Sequence, residues 1–165
     1  MSELINYYAS LNSPWTHLGG ARLMDIADRC GARVRICPFD TSVVFPQTGG
    51  LPLPKRSPQR QAYRFQELQR WREHLGIPIQ LRPKFFPAQE GAAAHCVLGV
   101  RETVGDRPAI ALAHRVLKAL WEEDADTGDR ETLARLIGEV GLDVPATLQH
   151  ADDEGWAALR RAESQ

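Results

Sequence analysis

The sequence predicts an α/β protein in which a βαβ unit over residues 3 to 40 is followed, after about residue 57, by an all-helical remainder. An apolar run, Leu4-Ile5-Asn6-Tyr7-Tyr8-Ala9, reads as a strand and leads into SLNSPWTHLG, where a helical pattern begins. Arg33-Val34-Arg35-Ile36-Cys37-Pro38-Phe39 alternates, with Val34 and Ile36 on one face, which is the period of a second strand. From Ala88 onward the apolar positions recur only at helical spacing.

The first helix is predicted from Pro14 to Arg29. Ser13 suits its N-cap, because the hydroxyl can accept an orphan backbone N–H, and Pro14 has no N–H to lose at the next position. Leu18, Ala21, Leu23, Met24, Ile26 and Ala27 continue the pattern, and Gly31 suits the left-handed C-terminal position. One helix between two strands so close in sequence makes a right-handed crossover with parallel strands. Residues Thr41 to Ser57 carry Pro46, Gly49, Gly50, Pro52 and Pro54, a composition that predicts an ordered loop. Ser57-Pro58 repeats the cap signature, and Ala62, Phe65, Leu68, Trp71, Arg72 and Leu75 form a helical stripe that Gly76 closes. Ile77 to Pro87 is punctuated by prolines and reads as extended. Further helices are predicted over Ala88–Val104, Pro108–Glu122, Arg130–Glu139, Pro145–Ala151 and from Asp152 or Asp153 to Ala162. The chain thus divides into residues 1–57, the βαβ part with its loop, and residues 58–165, the helical part.

With 165 residues the chain is long enough for one domain with a substantial core. A net charge of -1 gives no reason to expect nucleic acid or an anionic membrane surface as a partner. No apolar run reaches the length of a membrane span and the N-terminus lacks a signal-peptide pattern, so a cytoplasmic protein is expected. Cys30, Cys37 and Cys96 are odd in number and lack metal spacing, and the five histidines show no ligand-like pairing. Reduced, buried thiols and no metal are the expectation. The acidic cluster Glu122, Glu123, Asp124, Asp126 and Asp129 reads as a solvated loop between helices, since nothing nearby would bury one carboxylate.

Ser13 sits at the positive end of a helix dipole, just past a strand's C-terminal end. Backbone N–H groups can hold an anion or thiolate there, and open α/β sheets collect their chemistry at that end. The same residues cap many helices that carry no chemistry, so local pattern alone makes Ser13 a cap.

The strand followed by Asn12-Ser13-Pro14-Trp15-Thr16-His17-Leu18-Gly19 resembles the first βα turn of 2-hydroxychromene-2-carboxylate isomerases and kappa-class glutathione transferases, which share a DsbA-like thioredoxin fold. In that family a serine occupies the place of a disulfide oxidoreductase's first active-site cysteine. Ser13-Pro14-Trp15-Thr16 contains no C-x-x-C, which excludes dithiol redox chemistry at this turn. The segment from Gly49 to Pro87, GGLPLPKRSPQRQAYRFQELQRWREHLGIPIQLRPKFFP, is similar to the family's passage from the second strand into a helical insertion. In kappa-class relatives an asparagine and a lysine in that segment contact glutathione. Gly50 aligns with the asparagine and Arg60 with the lysine. Arginine can bind a carboxylate bidentately, whereas glycine cannot replace an amide. The family's fold closes with two further strands, the first entered through a cis-proline, and a final helix. No segment of residues 1–165 matches these, so the closing ββα half is expected to be absent from this sequence.

The resemblance implies a glutathione-dependent isomerase acting on an aromatic or ring-opened aromatic carboxylic acid. Ser13 is its expected catalytic residue, with Ser13, Trp15, Thr16 and Arg60 toward glutathione and Asn12, Trp15, Lys55, Arg56 and Tyr63 toward the substrate. Trp15 and Tyr63 are expected to wall an apolar pocket. Expected partners are glutathione, a small aromatic carboxylate and a second copy of the chain. A kappa-type transferase, which releases the adduct, is the close alternative. A non-catalytic thioredoxin-fold binding protein is the alternative from another class, and the Gly50 departure permits it.

Overall fold

A computed structural model describes residues 3–165. Strand β1 (Leu4–Ala9), helix α1 (Pro14–Cys30) and strand β2 (Arg33–Pro38) make the βαβ unit, with the strands parallel from Leu4 opposite Arg33 to Ala9 opposite Pro38. Helix α1 begins where the Ser-Pro pair predicts it: Ser13 is extended and its Oγ accepts the Thr16 N–H at 3.3 Å. It ends at Gly31, whose φ of 66° is a conformation that strains a side chain.

The predicted loop at Thr41 to Ser57 is a correction. It contains helix α2 (Thr41–Thr48) and a short 3₁₀ turn at Leu53–Lys55. Asp40 caps α2, its carboxylate accepting the Ser42 N–H at 2.8 Å, and Gly49 ends it at φ 73°. Pro46 lies inside α2 and Gly50 just beyond it. Their composition masks a helix that the cap starts and no buried face supports.

Helix α3 (Pro58–Leu75) is capped by Ser57 and stopped by Gly76, as predicted. After an irregular stretch come α4 (Gly91–Thr103), α5 (Asp106–Trp121), α6 (Arg130–Glu139), α7 (Val144–Leu148) and α8 (Glu154–Glu163). These match the predicted helices to within a few residues. Helix α4 starts later than predicted because Ala88 is bonded to Asn12 and Glu90 to Ser10. One buried cluster runs from Ala9, Leu18 and Ile36 through Leu68 and Ile79 to Val97, Leu117, Trp121, Leu133 and Ile137. No helix among the described residues is long and apolar enough to cross a membrane.

The two sheet edges are treated differently. Arg33 N–H donates to Glu3 O and Phe39 N–H to Ala9 O, so odd-numbered residues of both strands face each other and even-numbered ones turn their polar groups outward. On β2 the outer edge is partly covered: Pro38 has no N–H, and Ile36 O accepts Arg101 Nη1 at 2.8 Å. On β1 the outward groups of Leu4, Asn6 and Tyr8 have no backbone partner among the described residues. Leu4 is 51% exposed and Tyr8 57%. An uncharged, apolar open edge pairs with whatever strand it meets. The chain is therefore expected to sediment as a concentration-dependent dimer or larger species, and Asn6→Lys to shift it toward monomer. A monomer at every concentration, indifferent to Asn6→Lys, would show that this edge does not associate.

Candidate functional site

The turn between β1 and α1 is held from three sides. Ser10 Oγ donates to Glu90 Oε2 at 3.0 Å and accepts the Asn12 N–H at 3.2 Å, while the Ser13 N–H donates to Ser10 O at 3.1 Å. The Asn12 side chain makes a reciprocal pair with the Ala88 backbone: Nδ2 donates to Ala88 O and Oδ1 accepts the Ala88 N–H, both at 2.9 Å. Asn12, expected to touch substrate, is thus a clamp between the turn and the segment before α4, which uses one of its two amide hydrogens and one lone pair of Oδ1. Glu90 Oε1 accepts Arg160 Nη2 at 2.6 Å, and the same nitrogen donates to Phe39 O at 3.1 Å. Ser164 Oγ donates to Arg160 O at 2.6 Å and accepts the Asp40 N–H at 2.8 Å. One network therefore pins the C-terminal ends of both strands to α8. Burial pushes the Glu90 carboxyl up, with Arg160 and the Ser10 hydroxyl pulling it back.

The N–H groups of the first turn of α1 can be counted. Pro14 has none, the Thr16 N–H goes to Ser13 Oγ and the His17 N–H to Ser13 O at 3.1 Å. The Trp15 N–H has no acceptor among the described residues, and the Ser13 hydroxyl, which accepts from Thr16, donates to none. Both donors are available at a helix N-terminus. Beneath them Tyr7 Oη donates to Thr16 O at 3.4 Å, its phenol pushed up to about 12 by burial. His17 Nε2 lies 2.9 Å from Glu122 Oε1; burial holds this imidazole low, with Glu122 opposing and Lys118 adding to the effect. His114 is also held low, by burial and by His17.

Beside the turn, α1 and α3 enclose a groove of about 240 Å³ lined by Trp15, Leu18, Gly19, Arg22, Trp71 and Leu75. Trp15 and Trp71 are both about two-fifths exposed, at 44% and 40%. Tyr63 does not line it, which corrects the expected pairing with Trp15. Trp71 shares its face of α3 with Leu68 and Leu75 at helical spacing, and Tyr63 lies off that face, 57% exposed. Lys55 and Arg60 are exposed near the start of α3, and like Tyr63 they make no hydrogen bond or ion pair with the turn. Arg56 is half-buried, its Nε donating to Leu51 O at 2.8 Å. At Gly50 a Cβ would stand 2.6 Å from Phe45 Cδ1, so the Phe45 ring fills the space that an amide side chain would need.

A sequence model of the DSBA-like thioredoxin domain matches residues 4–164. The chain belongs to the DSBA-like thioredoxin family. A 2-hydroxychromene-2-carboxylate isomerase from Sphingobium xenophagum is 23% identical over 167 residues, covering 100% of this chain and 83% of that protein. A structure of 2-hydroxychromene-2-carboxylate isomerase superposes with a TM-score of 0.77 at 21% identity, over 98% of this chain and 77% of the other. A structure of the cytosolic disulfide reductase DsbM from Pseudomonas aeruginosa with GSH superposes at 0.67 and 17% identity, over 97% and 77%.

The strand-end network gives a direct test in stability. Removing one partner of a buried ion pair leaves the other uncompensated, at a cost of about 3–5 kcal/mol. Glu90→Ala is expected to lose that much in urea unfolding, and Glu90→Leu with Arg160→Met to recover most of it. A loss under about 1 kcal/mol in Glu90→Ala would remove Glu90 from its structural role.

Proposed function

We propose that this chain is a glutathione-dependent isomerase of an aromatic or ring-opened aromatic carboxylic acid. The observation that carries the reading is the pair of uncommitted donors, the Ser13 hydroxyl and the Trp15 N–H, at the positive end of α1. That donor set suits a thiolate, and no cysteine stands in the turn to supply one from the chain. Bound glutathione would supply a nucleophilic thiol able to add reversibly to a conjugated double bond and leave again after rotation.

Each residue's part is set by its place. Ser13 donates its O–H to the thiolate while its Oγ lone pair keeps the Thr16 N–H satisfied, and the Trp15 N–H and helix dipole add positive potential. Trp15, with Trp71 across the groove, offers flat apolar walls for an aromatic ring. Arg56, Arg60 and Lys55 supply positive charge near the start of α3, and Thr16 holds the first turn in shape. Asn12 fixes the turn and keeps one amide hydrogen and one oxygen lone pair for a ligand. Supporting the isomerase over the transferase reading is the similarity to a 2-hydroxychromene-2-carboxylate isomerase over the whole of this chain and 83% of that protein. Isomerisation of a chromene carboxylate, measured with and without glutathione beside a chloro-aromatic conjugation assay, tests the choice.

Ser13 variants test its role. Ser13→Ala is expected to lower turnover by about tenfold or more, on top of about 1 kcal/mol of stability lost with the cap. Ser13→Asp keeps the cap but repels a thiolate, so it is expected to be stable and inactive. Full activity in Ser13→Asp would leave Ser13 as a cap only.

A further inference from the structure

Four residues after Ser13, helix α1 carries a largely buried acid–imidazole pair that takes no part in the chemistry proposed above. His17 Nε2 lies 2.9 Å from Glu122 Oε1, with the two side chains 10% and 16% exposed. Both members are fixed by their backbones. The His17 N–H donates to Ser13 O at 3.1 Å, which puts this side chain within one helical turn of Ser13. Glu122 closes α5, its N–H donating to Lys118 O at 2.8 Å and its carbonyl accepting Gln80 Nε2 at 3.3 Å. Facing a carboxylate, Nε2 carries the ring hydrogen, so Nδ1 is the basic nitrogen, and Nδ1 has no partner among the described residues.

The neighbours decide where a proton can go. On α5, His114 is close enough to His17 to feel its charge but has no acid of its own. Its Nε2 is buried without a partner and its ring abuts Gly20, where a Cβ would stand 2.5 Å from that nitrogen. From β1, the Tyr7 ring meets His114 edge-on with centroids 6.2 Å apart, and its phenol donates to Thr16 O and stays neutral. Lys118 adds a positive charge on α5. Of the two imidazoles, only His17 has a carboxylate to neutralise an added proton. With no anion at the helix end, burial and Lys118 hold His17 neutral against the pull of Glu122. A thiolate placed there adds a second negative charge and favours the imidazolium.

We propose that the His17–Glu122 pair keeps the proton that a glutathione thiol loses when it binds at the α1 N-terminus. The S–H bond breaks, the electron pair stays on sulfur, and the proton ends on His17 Nδ1, giving an imidazolium held by Glu122 through its Nε2–H. This rests on the proposed function in requiring a thiolate at the turn, and it makes thiolate formation a proton shift inside the complex instead of a loss to solvent. The step leaves the net charge of the complex unchanged, so thiolate forms at a pH where a free thiol is still protonated.

Proton release on binding reads the step directly. Glutathione is titrated into the full chain at about pH 7, where a free thiol is protonated, by calorimetry in buffers of different ionisation enthalpy. Thiolate is counted by ultraviolet absorbance, and S-methylglutathione is the blank that has no thiol proton. The wild-type protein is expected to form thiolate with almost no proton released. His17→Gln keeps a hydrogen-bonding side chain without the basic nitrogen, and Glu122→Gln keeps the imidazole without its counter-charge. Each is expected to release about one proton per thiolate formed. Their affinity for glutathione is expected to rise about tenfold per pH unit over about pH 6 to 8, where that of the wild-type protein changes little. Release of about one proton per thiolate by the wild-type protein, or retention that survives either substitution, overturns the proposal and leaves the isomerase reading standing. Glutathione bound as the thiol, or not bound at all, overturns both.

Discussion

The pair between Glu90 and Arg160 is the constraint on which the site's shape depends. A parallel two-stranded unit has no sheet on either side to fix where its strands stop, and here both stopping points are set by side chains from the helical part. Glu90 takes the hydroxyl of Ser10 at the end of β1, and Arg160 takes the carbonyl of Phe39 at the end of β2. Because the pair is nearly dry, removing Arg160 strands the Glu90 charge, and removing Glu90 leaves Arg160 only the more distant Asp40 at 3.9 Å. The helices therefore do more than cover the sheet: they decide where Ser13 stands.

That arrangement explains why the helical part begins its regular structure late. Residues 86–90 are spent on the turn, through Ala88 to Asn12 and Glu90 to Ser10, before α4 can start. The same segment carries Phe86, whose ring packs on Trp121 with centroids 5.0 Å apart. Structural fixing of the turn and packing against Trp121 thus share one stretch of chain. On the proposed reading the protein works by placement: a helix end offering two free donors, and a groove between two tryptophans beside it.

Local signals are enough for the βαβ unit, since alternation, a Ser-Pro cap and a glycine stop are written within a few residues of where they act. The same holds for α3, with its second Ser-Pro cap, and for the later helices with their apolar stripes. Helix α2 is hidden because its start depends on Asp40 as a cap, while prolines and glycines dominate the residues from Pro46 to Pro54. The turn itself is legible; its wiring is not. Asn12 and Ala88 are far apart in sequence, as are Glu90 and Arg160, and no periodicity links them. Trp71 is visible as part of a stripe, but whether a stripe faces core or groove depends on the partner helix.

The most direct test of the account is the acidity of the glutathione thiol in the presence of the protein, followed by ultraviolet absorbance of the thiolate as pH is raised. If the Ser13 hydroxyl and the Trp15 N–H hold a thiolate at the helix end, the bound thiol titrates at least about one unit below its free value. A bound thiol that titrates at its free value would contradict the account, leaving the turn a well-built helix cap.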